Sequence, residues 1–121
     1  MTKIRTALNA YLKTLCSTVY FQVASKDAVF PYIVYNVALY PDGEGFERVV
    51  LDVDGWDCNE TNDTTAVENL MTALKPLDKH TLSTADTSVT FYIDSKVTLT
   101  DTDPRIKRRK YIYTGKLFNK E

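Results

Sequence analysis

Residues 31–56 read PYIVYNVALYPDGEGFERVVLDVDGW, and this stretch decides the fold. The near-continuous apolar run Tyr32–Tyr40 is typical of a strand that is covered on both faces for much of its length. The next five residues, Pro-Asp-Gly-Glu-Gly, favour a chain reversal. The return strand Glu47–Trp56 alternates, with three apolar residues on one face: Val49, Leu51 and Val53. The two strands are therefore predicted to form a β-hairpin.

One helix is predicted on each side of this hairpin. Apolar residues recur at spacings of three, four and seven over Ile4–Leu15, which predicts an amphipathic helix of about four turns. The β-branched and aromatic residues that follow predict a short strand at Val19–Val23. A second helix is predicted over Thr64–Lys75, with Asn62 or Asp63 as its cap.

Alternating apolar residues predict further strands in the C-terminal half. The runs Ser88–Asp94 and Lys96–Thr100 alternate, and Lys110–Phe118 provides a last strand. Helix, three strands, helix and two or three strands indicate an α+β fold. We expect a single antiparallel or mixed β-sheet of five to six strands with two helices packed on one face. A chain of 121 residues has room for one domain, residues 1–121.

Composition excludes several classes of protein. Fifteen Lys and Arg against sixteen Asp and Glu give a net charge of -1, so the whole chain is not a polycation built for nucleic acid. Apolar runs never approach the roughly 20 residues that span a bilayer, so no membrane partner is expected. The charged N-terminal residues differ from a signal peptide, and we expect the protein to stay in a cytoplasm.

Little in the sequence points to catalysis. The single histidine, His80, lies in a polar stretch where a solvated loop position is expected. No nucleophile elbow, zinc-protease motif or phosphate-binding glycine loop is present, so we expect no catalytic residue, cofactor or metal. For the carboxylates Asp52, Asp54 and Asp57, three interpretations remain open: a cation or acid–base site, a charged interface, or a solvated face.

Charge is sorted along the chain. Residues 42–68 contain nine acidic side chains and one basic, whereas residues 105–121 contain seven basic side chains and one acidic. We interpret the two segments as electrostatic complements on two different sides of the molecule. The resulting candidates for contacts between subunits or with a partner are Asp52, Asp54 and Asp57 on one side and Arg105, Lys107, Arg108 and Arg109 on the other.

Three interpretations also remain open for the basic run Arg105–Lys110. It fits a solvated loop or an edge strand whose charge prevents edge-to-edge pairing. It also fits a small nucleic-acid-binding module over residues 105–113, in which Tyr111 and Tyr113 stack on bases. Finally, it fits a self-assembly contact with the acidic surface of the next copy, which generates a ring when the rotation closes.

The layout of the whole chain resembles a known group, the small tail-completion proteins of long-tailed bacteriophages, also called tail-terminator or head-to-tail joining proteins. The resemblance covers nearly all 121 residues and rests on five segments: Ile4–Leu15, Val29–Tyr35, Val49–Trp56, Thr64–Lys75 and Asp103–Tyr113. The last of these combines a turn, basic residues and a tyrosine-bearing strand.

The resemblance implies a structural role in a virion. Proteins of this group assemble as a ring, typically a hexamer, on the end of the tail tube, where they stop its polymerisation. They then dock to the head connector proteins, and DNA passes through the lumen without sequence-specific contact. From the resemblance we expect the protein in the virion, at the head–tail interface, and in the host cytoplasm during assembly. No enzyme activity is implied.

Overall fold

The computed structural model describes residues 2–16, 18–24, 26–41 and 46–119. The elements in chain order are α1 (Thr2–Leu15), β1 (Val19–Phe21), β2 (Tyr32–Pro41), β3 (Phe46–Cys58), α2 (Thr65–Thr72), a 3₁₀ turn (Lys75–Leu77), β4 (Thr81–Ser83), β5 (Thr87–Leu99) and β6 (Ile106–Asn119). The turn that we predicted between β2 and β3 falls on residues 42–45, which lie outside the described residues.

The six strands form one sheet in the order β1-β2-β3-β6-β5-β4. β1 is parallel to β2, and every other pair of neighbours is antiparallel. The predicted hairpin of β2 and β3 is present, with Tyr32 opposite Trp56 and Pro41 opposite Glu47. A single mixed six-stranded sheet with two helices confirms the predicted α+β fold.

The first helix packs where its apolar stripe predicts. Ile4, Leu8 and Leu12 are buried in the core, and the buried Tyr35 of β2 donates a hydrogen bond from its hydroxyl to Asn9 Oδ1 at 2.9 Å. α1 contacts both β1 and β4, which are the two edge strands of the sheet. The sheet therefore curls around this helix.

The second helix packs on the two central strands, β3 and β6. The N-cap is Thr64, whose side chain makes no capping hydrogen bond, so the prediction of Asn62 or Asp63 as the cap is wrong. Asp63 Oδ1, one residue earlier, accepts the backbone N–H of Thr65 at 2.9 Å. The α-helix ends at Thr72, earlier than predicted, and the chain continues into the 3₁₀ turn that contains Pro76. Proline has no N–H and cannot continue the α-helical hydrogen bonds.

The sheet has one face covered by helices and one open face. The odd-numbered residues of β3 and β6 point toward the helices, and several are fully buried: Val49, Leu51, Val53, Tyr113 and Leu117. The even-numbered residues point to the opposite side, where no described element covers them. Our interpretation of β2 as covered on both faces is wrong, because Asn36 is exposed and Val34 is only half-buried on the open face.

The observed strands differ most from the predicted ones at β5, β6 and β1. β5 is continuous from Thr87 to Leu99, and a register shift between Ile93 and Ser95 explains why its alternation reads as two separate runs. β6 begins at Ile106 rather than Lys110, so most of the basic run belongs to a strand. β1 is shorter than predicted, and Val23 beyond it is 76% exposed.

Two buried glycines allow different tests of how tightly the sheet packs. A Cβ at Gly115 would lie 2.5 Å from the backbone oxygen of Thr90, and a Cβ at Gly55 would lie 2.5 Å from the Met71 Sδ atom. We expect Gly115→Ala to destabilise the fold by about 1–3 kcal/mol, because a strand backbone must move. Gly55→Ala should have a smaller effect, since the flexible Met71 side chain can shift.

Urea unfolding of both variants measures the difference in free energy of unfolding. Equal destabilisation by the two substitutions would contradict the close approach of β5 to β6 at Gly115.

Candidate interaction surface

The acidic and basic segments of the sequence meet in the centre of the sheet. β3, which carries Asp52, Asp54 and Asp57, is the hydrogen-bonded neighbour of β6, with Asp54 opposite Lys110 and Asp57 opposite Lys107. The expectation that these segments lie on different sides of the molecule is therefore wrong. The opposite charges attract each other across neighbouring strands of one chain, rather than between two copies.

On the open face, Arg108 is held by two residues of β3. Its Nη2 lies 3.5 Å from Asp54 Oδ1, and its guanidinium lies 3.9 Å from the centroid of the Trp56 ring. The Arg108 and Asp54 side chains are only 24% and 19% exposed. Asp52 lies on the same face, between Asn36 of β2 and Ile112 of β6. The charges of Arg108 and Asp54 therefore face each other more than they face solvent.

On the face covered by helices, Arg109 of β6 forms an ion pair with Glu68 of α2. Asp57 is 6% exposed, and its Oδ2 accepts a hydrogen bond from Asn59 Nδ2 at 3.2 Å. The two interactions link β3 and β6 to the segment that contains α2. Arg109 and Asp57 therefore contribute to packing within one copy.

The two remaining basic candidates lie at or beside the loop before β6. Arg105 pairs with Asp103, with Nη2 and Oδ2 2.8 Å apart, and it reaches Glu60 at 4.0 Å. The hydrogen bonds from Arg105 lower the pKa of the Asp103 carboxyl to about 2. Lys107 donates from Nζ to the Pro104 carbonyl. Both basic side chains therefore bind groups in or near this loop, Arg105 through carboxylates and Lys107 through a backbone carbonyl.

The structure excludes one of the three interpretations of the basic run Arg105–Lys110 and leaves the other two open. β6 lies between β3 and β5, so the alternative of a loop or an edge strand over residues 106–110 is wrong. The nucleic-acid alternative over residues 105–113 stays a prediction, although its three arginines are all paired with carboxylates. The role of the seven candidate residues toward a second molecule also stays a prediction.

Asp54 is in an unfavourable environment for a charged carboxylate. Burial raises the pKa of its carboxyl, and this effect exceeds the opposing effects of Lys110 and Arg108. Three buried polar atoms of this cluster have no hydrogen-bond partner among the described residues: Asp54 Oδ1, Trp56 Nε1 and Arg108 Nε. The cluster is thus electrostatically neutralised but incompletely hydrogen-bonded in the isolated chain.

Next to this cluster lies a group of four aromatic residues, which we call the aromatic patch: Tyr20, Phe30, Tyr32 and Trp56. The ring centroids of Tyr32 lie 5.0 Å from Phe30, 5.9 Å from Tyr20 and 6.5 Å from Trp56. Phe30 is 38% exposed, and its neighbour Val29 is 73% exposed. Tyr20, Tyr32 and Trp56 are half-buried, so Phe30 and Val29 are the most exposed apolar side chains at this end of the sheet.

Sequence reasoning did not find the aromatic patch. Its members come from β1, β2, β3 and the segment before β2, and only the sheet order brings them together. The sequence contains a cluster of aromatic residues in Val29–Tyr35, which we used for the predicted strand and for the resemblance but not to locate a patch.

The described residues offer little support for other kinds of site. They contain no group of three or more His, Cys, Asp or Glu placed to hold a metal ion. His80 is not a freely solvated loop residue, because its ring stacks on Tyr11 with centroids 3.9 Å apart. Within these same ranges, neither helix combines the length and hydrophobicity that crossing a bilayer requires.

Comparison with known proteins shows that this chain is similar in fold to a chain of known structure. No model of a protein family matches the sequence, and no curated protein matches it. Among solved structures, a chain described as "Virion of native gene transfer agent (GTA) particle" is similar, with a TM-score of 0.64 and 14% sequence identity. The match covers 97% of this chain and 92% of that chain. At this identity, the likeness concerns the fold.

The environment of Asp54 predicts a pH-dependent effect of Asp54→Asn. A raised pKa means that the folded state binds the proton more tightly than the unfolded state, so folding stability is lost as pH rises through the raised value. We expect the asparagine variant to be more stable than the wild type at neutral pH. The difference should vanish below the ordinary value of 3.8, where both side chains are neutral.

Thermal unfolding at a series of pH values measures this difference. A variant that is less stable than the wild type at neutral pH would show that the ion pair with Arg108 outweighs the burial of Asp54.

Proposed function

We propose that this chain is a structural protein of a phage-like virion. In the finer form of the proposal, copies of it form a ring, a hexamer, on the end of the tail tube, where the ring ends tail polymerisation and joins the tail to the head. Its partners would be other copies of itself, the tail tube protein and the head connector proteins. The proposal assigns no catalytic step to the chain.

The observation that carries the proposal is the fold likeness to a chain of the gene transfer agent virion. It extends over 97% of this chain and 92% of the other, so the likeness includes both helices and the sheet. The resemblance of the sequence to tail-completion proteins supports the same role through different features. The finer statement, a terminal ring, rests on that resemblance.

The edges of the sheet argue against assembly by strand addition. β1 and β4 have three residues each, so the remaining lengths of β2 and β5 also lie at the edges. On β2, the Val37 N–H is already bound by the side-chain oxygen of the adjacent Asn36 at 3.0 Å, and Pro41 has no N–H to offer. On β5, the irregularity between Ile93 and Ser95 interrupts the regular edge. Such features protect edge strands from pairing with another chain, so contacts between copies are expected through a face of the fold.

The aromatic patch is the surface that best fits such a contact. Aromatic residues are enriched at the centres of protein interfaces, where they bury apolar area while their polar atoms find partners. Contact with a neighbouring copy would also cover the exposed Val29 and Phe30. Four of the seven charged candidates, Asp54, Arg105, Arg108 and Arg109, form ion pairs within one copy. This contact should therefore depend weakly on salt, unlike one made by complementary charged edges.

Deletion of the gene from the phage-like element that encodes it tests the role. Loss of a tail-terminating ring should yield tails of abnormal length that are not joined to heads, as seen by electron microscopy. Particles with normal tails joined to heads would contradict the proposal.

A pair of matched substitutions tests the contact surface. Phe30 and Val97 are 38% and 37% exposed, and only Phe30 belongs to the aromatic patch. We expect Phe30→Asp to weaken ring formation at least about 30-fold, the effect of removing one central interface residue. Val97→Asp should leave it nearly unchanged.

Native mass spectrometry over a range of concentrations and salt measures the population of rings. Equal effects of the two substitutions would exclude the aromatic patch as the contact between copies.

A further inference from the structure

A second feature of the open face is a groove at the end opposite the aromatic patch. It has a volume of about 380 Å³ and lies over β3, β6 and β5. Its polar lining comes from two cations, Arg48 and Lys116, and from hydroxyl groups that include those of Thr90 and Thr114. No carboxylate of the described residues lines it. We call it the Arg48–Lys116 groove.

The two cations of this groove are direct cross-strand neighbours. Arg48 of β3 lies opposite Lys116 of β6 in the sheet register. Like charges in this position repel each other and destabilise the pairing of strands. Each cation lies over an aromatic ring, with Arg48 5.0 Å from the Tyr40 centroid and Lys116 4.7 Å from the Phe46 centroid. The rings hold the cations in place without neutralising their charge.

The arginines of β6 and its preceding loop, unlike Arg48 and Lys116, have carboxylate partners. Arg105, Arg108 and Arg109 each have a carboxylate within ion-pair distance. Among the described residues, Arg48 and Lys116 have none. A pair of like charges with no carboxylate to neutralise it lowers local stability, and such an arrangement is typical of a functional site. An anion bound between these two cations would supply the missing compensation.

The groove also carries the features that suit one class of anion. Serine and threonine hydroxyls, guanidinium and ammonium groups are the usual donors to phosphate oxygens. Two aromatic side chains that line the groove, Tyr92 and Phe118, are 52% and 50% exposed. Exposed aromatic rings beside cations allow bases to stack while the backbone phosphate is bound.

We propose that the Arg48–Lys116 groove binds single-stranded nucleic acid, with a backbone phosphate between Arg48 and Lys116 and a base stacked on Tyr92 or Phe118. Single strands fit better than a duplex because the bases of a duplex are stacked on one another and are not available to these rings. The inference rests on the groove alone and does not require the ring proposed above.

The test is an NMR titration of the isotope-labelled protein with a thymidine oligonucleotide at low salt. We expect shift changes at the backbone amides of Arg48, Thr90 and Lys116. The logarithm of the affinity should fall linearly with the logarithm of the salt concentration. Shifts confined to residues 105–113 would overturn the proposal, because they would place binding on the basic run instead. An absence of binding would overturn it as well.

Substitutions assign the affinity to the groove. Arg48→Gln combined with Lys116→Gln should make the salt dependence shallower by about 0.7 for each phosphate that the variant no longer binds. Tyr92→Ala combined with Phe118→Ala should weaken binding about fivefold or more, because a base can no longer stack at either position. The matched control is Lys75→Gln combined with Lys96→Gln, which changes the net charge equally on the other side of the sheet. The groove variant should remain folded, because it lacks the repulsion between Arg48 and Lys116. Its thermal unfolding curve tests this.

Three further results would overturn the proposal. The control could weaken binding as much as the groove variant, which would mean that binding follows net charge alone. A duplex of the same length could bind at least as tightly as the single strand. Polyglutamate could displace the oligonucleotide at equal charge concentration, which would identify the groove as a site for acidic protein segments.

Discussion

Thirteen residues of β3 pair with thirteen of β6, from Phe46 opposite Phe118 to Cys58 opposite Ile106. This pairing joins the two hairpin regions of the chain into one sheet and creates the platform on which α2 packs. It also brings the acidic strand beside the basic strand, so that charges of opposite sign neutralise each other in one copy. The acidic and basic side chains nearly balance over the whole chain, which has a net charge of -1, and those of β3 and β6 also nearly balance locally in the centre of the sheet.

The same pairing determines what each face of the sheet offers. On the covered face, charged residues such as Arg109 connect the sheet to α2, and the apolar residues form the core. On the open face, the Asp54–Arg108 pair separates the aromatic patch from the Arg48–Lys116 groove. The two surfaces differ in chemistry, because one is apolar with neutralised charge and the other has two cations without a carboxylate partner among the described residues. We assign the first to contact between copies and the second to a phosphate-bearing ligand.

Local features of the fold were predictable from the sequence, and long-range features were not. The periodicity of Ile4–Leu15 and the alternation of Val49, Leu51 and Val53 depend on neighbouring residues and were confirmed. The adjacency of β3 and β6 was not predictable, because sorted charge does not say whether opposite segments meet in one chain or between chains. The start of β6 was missed because Lys107 and Arg109 on the covered face are charged like Arg108 and Lys110 on the open face, so residues 107–110 show no apolar alternation. The aromatic patch was missed because its four members become neighbours only through the sheet order.

The central claim is that the acidic and basic strands pair within a single copy. An isotope-filtered NMR experiment on a mixture of labelled and unlabelled protein tests it directly, through the short proton distances between residues that face each other across β3 and β6. We expect the contacts between Asp54 and Lys110, and between Val50 and Thr114, to arise within one labelled chain. Contacts that arise only between a labelled and an unlabelled chain would show that the opposite charges meet across a subunit boundary, and would contradict this account.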